Sequence, residues 1–261
     1  MTPTDERPER PSLAPHPVLP AHYSRPEERV GYIRSLFDRT AGSYDRINAW
    51  MSLNTGERYR RDAMIRAGLR SGQTVLDCAS GTGVIAAHAQ ALVGPDGQVI
   101  ALDPSVPMLA EAVGRGVRQP VAAIAERLPL PDDSVDLVAI GYALRHVADL
   151  GIAFAELARV LRPGGRLLIL EMVPPTSRVG YLMAKLYLKH LVPALAFVVT
   201  RRADARRLMR YYWDTVSQCV PPDTVMAALA EAGFIDVRRD VLFALLSEYT
   251  ASLPAATSVD H

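Results

Sequence analysis

Cysteine, lysine and net charge are all scarce in this chain, and each shortage removes a class of protein. Its two cysteines, Cys78 and Cys219, allow one bridge at most, and neither has a C-x-x-C partner. That excludes a disulfide scaffold or a cysteine zinc site and suits a reducing compartment. Basic and acidic side chains number 29 and 28, for a net charge of +1. Nucleic acid held by bulk charge needs a basic surplus and is excluded. Only Lys185 and Lys189 are lysines; the arginine excess reads as base composition of the genome. The six histidines, His16, His22, His88, His146, His190 and His261, have no metal-ligand spacing with Asp, Glu or Cys, so no metal is expected. The longest uninterrupted apolar run, Leu191 to Val199, is far short of the roughly 20 residues that span a bilayer. Residues 1 to 30 lack the apolar core of a signal peptide and carry seven prolines, with five acids against four arginines. This predicts a disordered tail over 1–27 and a cytoplasmic protein, with contact to the inner membrane face at most.

What is present is an α/β texture. With 261 residues, 49% of them hydrophobic, the chain fits one domain over 28–252, followed by a flexible tail over 253–261. Val30, Ile33 and Phe37, then Ile47, Trp50 and Met51, recur at helical spacing and predict a helical cap over 28–70. Short apolar runs follow at Thr74 to Leu76, Val99 to Leu102, Val121 to Ile124, Val135 to Ile140 and Leu167 to Leu170. Alternating with helices, they predict a doubly wound, Rossmann-like parallel sheet covered on both faces. Asp149 can cap a helix with Leu150, Phe154, Leu157 and Leu161 on one stripe, stopped by Pro163-Gly164-Gly165. Asp223 starts another that ends at Gly233, and two last strands fit Phe234 to Val237 and Val241 to Leu246.

The chemistry is concentrated in Val75-Leu76-Asp77-Cys78-Ala79-Ser80-Gly81-Thr82-Gly83-Val84-Ile85-Ala86, a buried strand, a glycine turn and a helix start. Ligands of open parallel sheets bind off such carboxyl ends. Gly81 and Gly83 let the backbone approach a ligand, and Asp103, 20 residues after Gly83, can accept both hydroxyls of a ribose. Gly81-x-Gly83-x-x-Ala86 with this acid also satisfies a dinucleotide fingerprint. Asp77 separates the two readings. It would repel a pyrophosphate at the turn, whereas S-adenosylmethionine brings an ammonium and a sulfonium that a carboxylate attracts.

These residues resemble class I S-adenosylmethionine-dependent methyltransferases: Val75-Leu76-Asp77 with Gly81-Thr82-Gly83, Asp103-Pro104-Ser105 with Met108-Leu109, Ala125-Glu126-x-Leu128-Pro129, and Arg159-Val160-Leu161-Arg162-Pro163-Gly164-Gly165. Tyr44-Asp45-x-x-Asn48 with Met51-Ser52, Leu144-Arg145, Glu171 and Tyr212 narrow the resemblance to the ubiquinone/menaquinone biosynthesis C-methyltransferase family, over about residues 28 to 240. The resemblance implies a seven-stranded sheet with its last strand antiparallel, and S-adenosylmethionine as the donor. It implies donor contacts from Asp77, Ala79, Gly81, Thr82, Gly83, Asp103, Pro104, Met108, Ala125 and Glu126, with Tyr44 on a helix folded over the donor and counted with the catalytic residues. It also implies a polyprenyl quinol as the acceptor, methylated on a ring carbon.

Four departures fall mainly on the acceptor side. Asn48-Ala49 stands for the family's usual Asn-Asp, Arg145-His146 for Arg-Asn, and Ile124 for an Asp or Asn near the adenine. Ser247-Glu248-Tyr249 replaces a glycine-rich ending with a histidine. Arg145 stays protonated and can stabilise a developing phenolate, while His146 has the ordinary pKa for general-base work. An apolar stretch from Tyr181 to Thr200, punctuated by Lys185, Lys189 and His190, suggests an acceptor lid over 172–212 that admits a polyprenyl chain and touches an anionic membrane. Core helices broken at Pro193 are the plainer reading of that stretch. Other acceptors stay open, a phospholipid amine or a natural-product phenol, as does a donor-binding protein without turnover. The oligomeric state stays open too, a homodimer included.

Overall fold

In a computed structural model, residues 12–52 and 56–256 are described, the side chains of 50–52 excepted; Trp50 and Met51 of the apolar stripe, residues 1–11 and residues 257–261 lie outside that description. Seven strands run β1 Thr74–Cys78, β2 Gln98–Leu102, β3 Gln119–Val121, β4 Val135–Gly141, β5 Leu161–Met172, β6 Ile235–Leu242 and β7 Leu246–Ser252. They form one sheet in the order β3-β2-β1-β4-β5-β7-β6. Strands β1 to β5 pair in parallel, and β7 is antiparallel to both its neighbours. Val75 and Leu76, adjacent in β1, point into separate apolar clusters on opposite faces, and neither is exposed. Burial on both faces explains why the central strands read as continuous apolar runs instead of alternating ones. The chain leaves β1 for β2 on one side and places β4 on the other, so the order reverses above Asp77 and Gly141, where a crevice opens.

Helices α1 Glu28–Ser52 and α2 Gly56–Arg66 precede the sheet, and α3 Val84–Val93, α4 Val106–Gly114 and α5 Leu150–Val160 connect its strands. The Asp149 carboxylate caps α5 by accepting from the Ile152 N–H at 3.0 Å. Pro163-Gly164-Gly165 does not stop that helix. It ends at Val160, and the three residues lie inside β5. Beyond β5 come α6 Arg178–Lys185, a π-helical turn Leu186–Leu191, α7 Val192–Thr200, α8 Ala203–Ser217 and α9 Pro222–Glu231, with Asp223 in the first turn of α9.

Several sequence expectations shift. Strand β3 sits at Gln119–Val121, because these residues hold the register with Ile100–Leu102, whereas Ile124 bridges only Arg127. The last hairpin is displaced toward the C-terminus, since Phe243 and Ala244 take φ of 52° and 55° and turn the chain there. The polar Ser247 and Glu248 are buried in β7 with partners, an arrangement that an apolar-run reading passes over. From Ser12 onward the expected tail is packed: Leu13 donates to the Asp149 carboxylate at 2.9 Å, and His16, Leu19 and Tyr23 are buried. Proline removes donors without preventing its neighbours from burying apolar surface. Leu253 likewise donates to the Gly165 carbonyl at 3.0 Å. Finally, Arg178–Thr200 is one continuous 23-residue helix, long and apolar enough by length and composition to cross a membrane, although lysines interrupt its apolar run. Pro193 does not break it. The π turn just before it, where the Val192 N–H reaches the Tyr187 carbonyl, widens the helix ahead of a residue that lacks a donor.

Candidate active site

A cavity of about 830 Å³ occupies the crevice at the carboxyl ends of β1, β2 and β4. Asp77 enters it from the end of β1. Its Oδ2 accepts from the Ser80 hydroxyl at 2.6 Å and the Ala86 N–H at 2.9 Å, but its Oδ1 is buried with no hydrogen-bond partner among the described residues. A buried anionic oxygen without a donor is costly, and desolvation raises this carboxyl to a pKa of about 7. Such an atom suits a cationic group of a ligand. Asp103, at the end of β2, accepts from the Gly81 and Ser105 N–H groups, each at 2.8 Å, and burial raises it to about 6. Its remaining lone pairs can take a pair of ligand hydroxyls.

The two glycines of the turn differ. Gly81 has φ 57°, and a Cβ there would meet open space within the cavity wall. Gly83 has φ 77°, but a Cβ would lie 2.7 Å from the Ala112 Cβ. Its role is close packing of α3 on α4, and it does not line the cavity. Ala79 makes the same bend with φ 56°, and Thr82, Pro104 and Met108 complete this end.

Helix α1 closes over the turn. The Thr82 hydroxyl donates to Asp45 at 2.6 Å, Arg115 pairs with the other Asp45 oxygen, and the Ser105 hydroxyl donates to Asp38 at 2.5 Å. This brings Tyr44 and Asn48 into the cavity wall, with the Tyr44 ring 5.8 Å from that of Phe37.

Of the Arg-His pair after β4, only His146 lines the cavity. Its Nδ1 lies 3.3 Å from the Tyr211 hydroxyl, and its ring packs on Phe37 and Tyr211. Desolvation, then Arg145, His16 and Arg29, hold its pKa well below 6.5, so the imidazole is neutral and a weaker base than the sequence suggests. Arg145 does not face the cavity. Its side chain is buried in an ion pair with Glu171, donates to Thr215 at 3.2 Å, and lies 4.2 Å over the Tyr212 ring. Ala125 and Glu126 are also outside the lining. Ala125 belongs to the apolar core, and Glu126 accepts from the Ala148 and Asp149 N–H groups at the start of α5.

Sequence reasoning passed over Tyr59, Arg60 and Tyr142, which line the cavity, with Arg60 stacked 4.8 Å over the Tyr142 ring. Tyr142 directly follows β4, so the strand-end rule could have found it. Tyr59 and Arg60 arrive by packing of α2, which leaves no local signal. Tyr187, Leu188, Leu242, Phe243, Leu245 and Leu246 make the far wall apolar. Among the described residues, no group of three or more His, Cys, Asp or Glu side chains is placed to hold a metal ion.

Comparison with known proteins gives the family and the fold. The model of the ubiE/COQ5 methyltransferase family matches residues 24–245. The chain is 34% identical to the ubiquinone/menaquinone biosynthesis C-methyltransferase UbiE of Hahella chejuensis over 215 residues, 79% of this chain and 84% of that protein. It is also 34% identical to the demethylmenaquinone methyltransferase of Symbiobacterium thermophilum over 226 residues, 83% of this chain and 90% of that one. Among solved structures, an S-adenosylmethionine-dependent methyltransferase of Thermotoga maritima, a possible histamine N-methyltransferase, superposes with a TM-score of 0.59 at 20% identity, covering 84% of this chain and 98% of that chain. At that identity the likeness shows the fold alone.

Proposed function

Because the chain belongs to the ubiE/COQ5 methyltransferase family and is a class I methyltransferase using S-adenosylmethionine, we propose that it methylates a ring carbon of a polyprenyl quinol. The observation that carries this reading is the continuity of one cavity, from the Asp77 and Asp103 carboxylates to an apolar wall of Leu242, Phe243, Leu245 and Leu246. A small polar acceptor would leave that wall unfilled, whereas a prenylated ring buries it. The relatives named as a ubiquinone/menaquinone biosynthesis C-methyltransferase and a demethylmenaquinone methyltransferase support the same acceptor class.

The donor supplies an electrophilic methyl group on a sulfonium. The protein's part is to hold donor and ring in line and to keep water out. Asp77 Oδ1 would hold the donor's ammonium and Asp103 its ribose hydroxyls. Tyr44, Phe37 and Tyr142 bound the reacting region, and neutral His146 accepts a hydrogen bond from a ring hydroxyl. An electron-rich ring is required, so the reduced quinol is the substrate and the quinone is not; the proton displaced from the ring carbon leaves to solvent after the transfer.

The test is transfer of labelled methyl to reduced and oxidised polyprenyl benzoquinone and naphthoquinone acceptors of graded chain length. Label should enter only the reduced ring, on carbon, with kcat/KM rising with chain length. Label found instead on an amine or in a water-soluble phenol would replace this acceptor with one of the other two classes.

A further inference from the structure

The helix Arg178–Thr200 leaves an apolar stripe uncovered. Val179, Leu182, Met183 and Leu186 are exposed at i, i+3, i+4 and i+7, between 63% and 70% each. The π turn then takes up one residue, so the stripe resumes at Leu191 and continues through Leu195 and Val198, all exposed. A straight α-helix would have rotated Leu191 away from Leu186. The opposite flank, Leu188, Val192 and Ala196, is buried in the cluster that contains Leu208 and Met209 of α8. The helix is therefore held along the domain by that flank.

Charge along this segment of the chain is one-signed. From Met172 to Ala203 the chain has no Asp or Glu, while Arg178, Lys185, Lys189, Arg201 and Arg202 supply five cations, including both of the chain's lysines. The cavity reaches this helix from its buried flank. Tyr187 and Leu188 of this helix line it, together with Phe243, which is 88% exposed and so marks where the cavity meets the surroundings.

We infer that this face docks on an anionic lipid bilayer, with the stripe lying in the plane of the interface, the cations among the headgroups and the cavity opening onto the acyl region. The inference rests on the proposed lipidic acceptor for its purpose but not for its test. The full chain is floated with vesicles of phosphatidylglycerol and phosphatidylcholine mixtures, and with phosphatidylcholine alone, at low and high salt, without donor or acceptor. Binding should require the anionic lipid and fall with salt. Lys185→Glu with Lys189→Glu should weaken it by at least about fivefold for each residue changed. Leu182→Glu with Val198→Glu should abolish it, while stabilisation by S-adenosylmethionine in a thermal melt reports an intact fold in every variant.

Failure of the wild-type chain to float, or equal binding by the Leu182/Val198 variant, would overturn the inference. So would a dimer in sedimentation that the same variant dissociates, because the stripe would then be a contact between copies. Vesicle binding without quinol methylation would remove the proposed acceptor and leave the docking face standing; methylation without binding would do the reverse.

Discussion

Arg145 and Glu171 form an ion pair with 1% and 2% of their side chains exposed, joining the turn after β4 to the end of β5. Glu171 also accepts from the Met172 N–H at 2.8 Å and the Arg145 N–H at 3.3 Å. Removing one partner of such a pair leaves an uncompensated buried charge, whereas removing both leaves none. Glu171→Met alone should destabilise the fold by about 3–5 kcal/mol, and Arg145→Met combined with Glu171→Met by clearly less than the two single changes added. Urea unfolding of the four proteins in a double-mutant cycle checks this. Additive effects would mean that the pair does not hold the turn.

Donor affinity should depend on pH through Asp77. Its raised pKa of about 7 means that the carboxyl is charged above pH 7 and gains a proton as pH falls through that value. The attraction for an ammonium is present at pH 8 and largely lost at pH 6, so the Kd for S-adenosylmethionine should rise about tenfold over that interval. Asp103, raised to about 6, adds to the loss at its lower end. The ligand-free fold responds oppositely to the same group: protonation relieves a buried charge, so Asp77 contributes stability as pH falls from 7 toward 4. Calorimetric titration of the wild type and Asp77→Asn checks the first effect, and the variant should bind weakly and keep only the smaller fall that Asp103 causes near pH 6.

The carboxylate end of this cavity was readable because it is local. Asp77, Ala79, Gly81, Thr82, Asp103, Pro104 and Met108 stand within a few residues of two strand ends, and all line the cavity. The acceptor end was less readable because it is assembled from afar. Tyr59 comes from α2 and Phe243 from the β6–β7 turn, and neither carries a pattern of its own. Arg145 was placed at the site by adjacency to a strand end and Glu126 by the family resemblance, yet both turn inward to satisfy other groups. Proline content similarly hid the packing of residues 12–27, where Arg29 donates to both His16 and the Arg145 carbonyl.

The two glycines of the turn should fail differently. Gly83→Ala places its Cβ against Ala112 in a left-handed conformation, and overpacking plus backbone strain should cost roughly 2–4 kcal/mol of stability. Gly81→Ala meets no protein atom, so strain alone should cost about 1–2 kcal/mol, while the new methyl occupies donor space. Thermal melts with and without S-adenosylmethionine separate them. The Gly83 variant should melt low yet keep most of its ligand-induced shift, and the Gly81 variant should lose that shift.

His146 stands stacked on Tyr211, ring centroids 5.5 Å apart, beside a buried guanidinium. Protonation there would add a cation to a desolvated pocket that already holds Arg145, with Arg29 and His16 adding to the repulsion. The imidazole therefore stays neutral through the range in which a general base would titrate. His146→Asn preserves a hydrogen-bond acceptor of similar reach, so kcat should stay within about threefold of wild type, with kcat/KM showing the same pH dependence between 6 and 8. General-base removal ordinarily costs about 10²–10⁴ in rate. A loss of that size, with disappearance of a limb of the pH profile, would return the proton-transfer role to His146 and require the pocket to admit water during turnover.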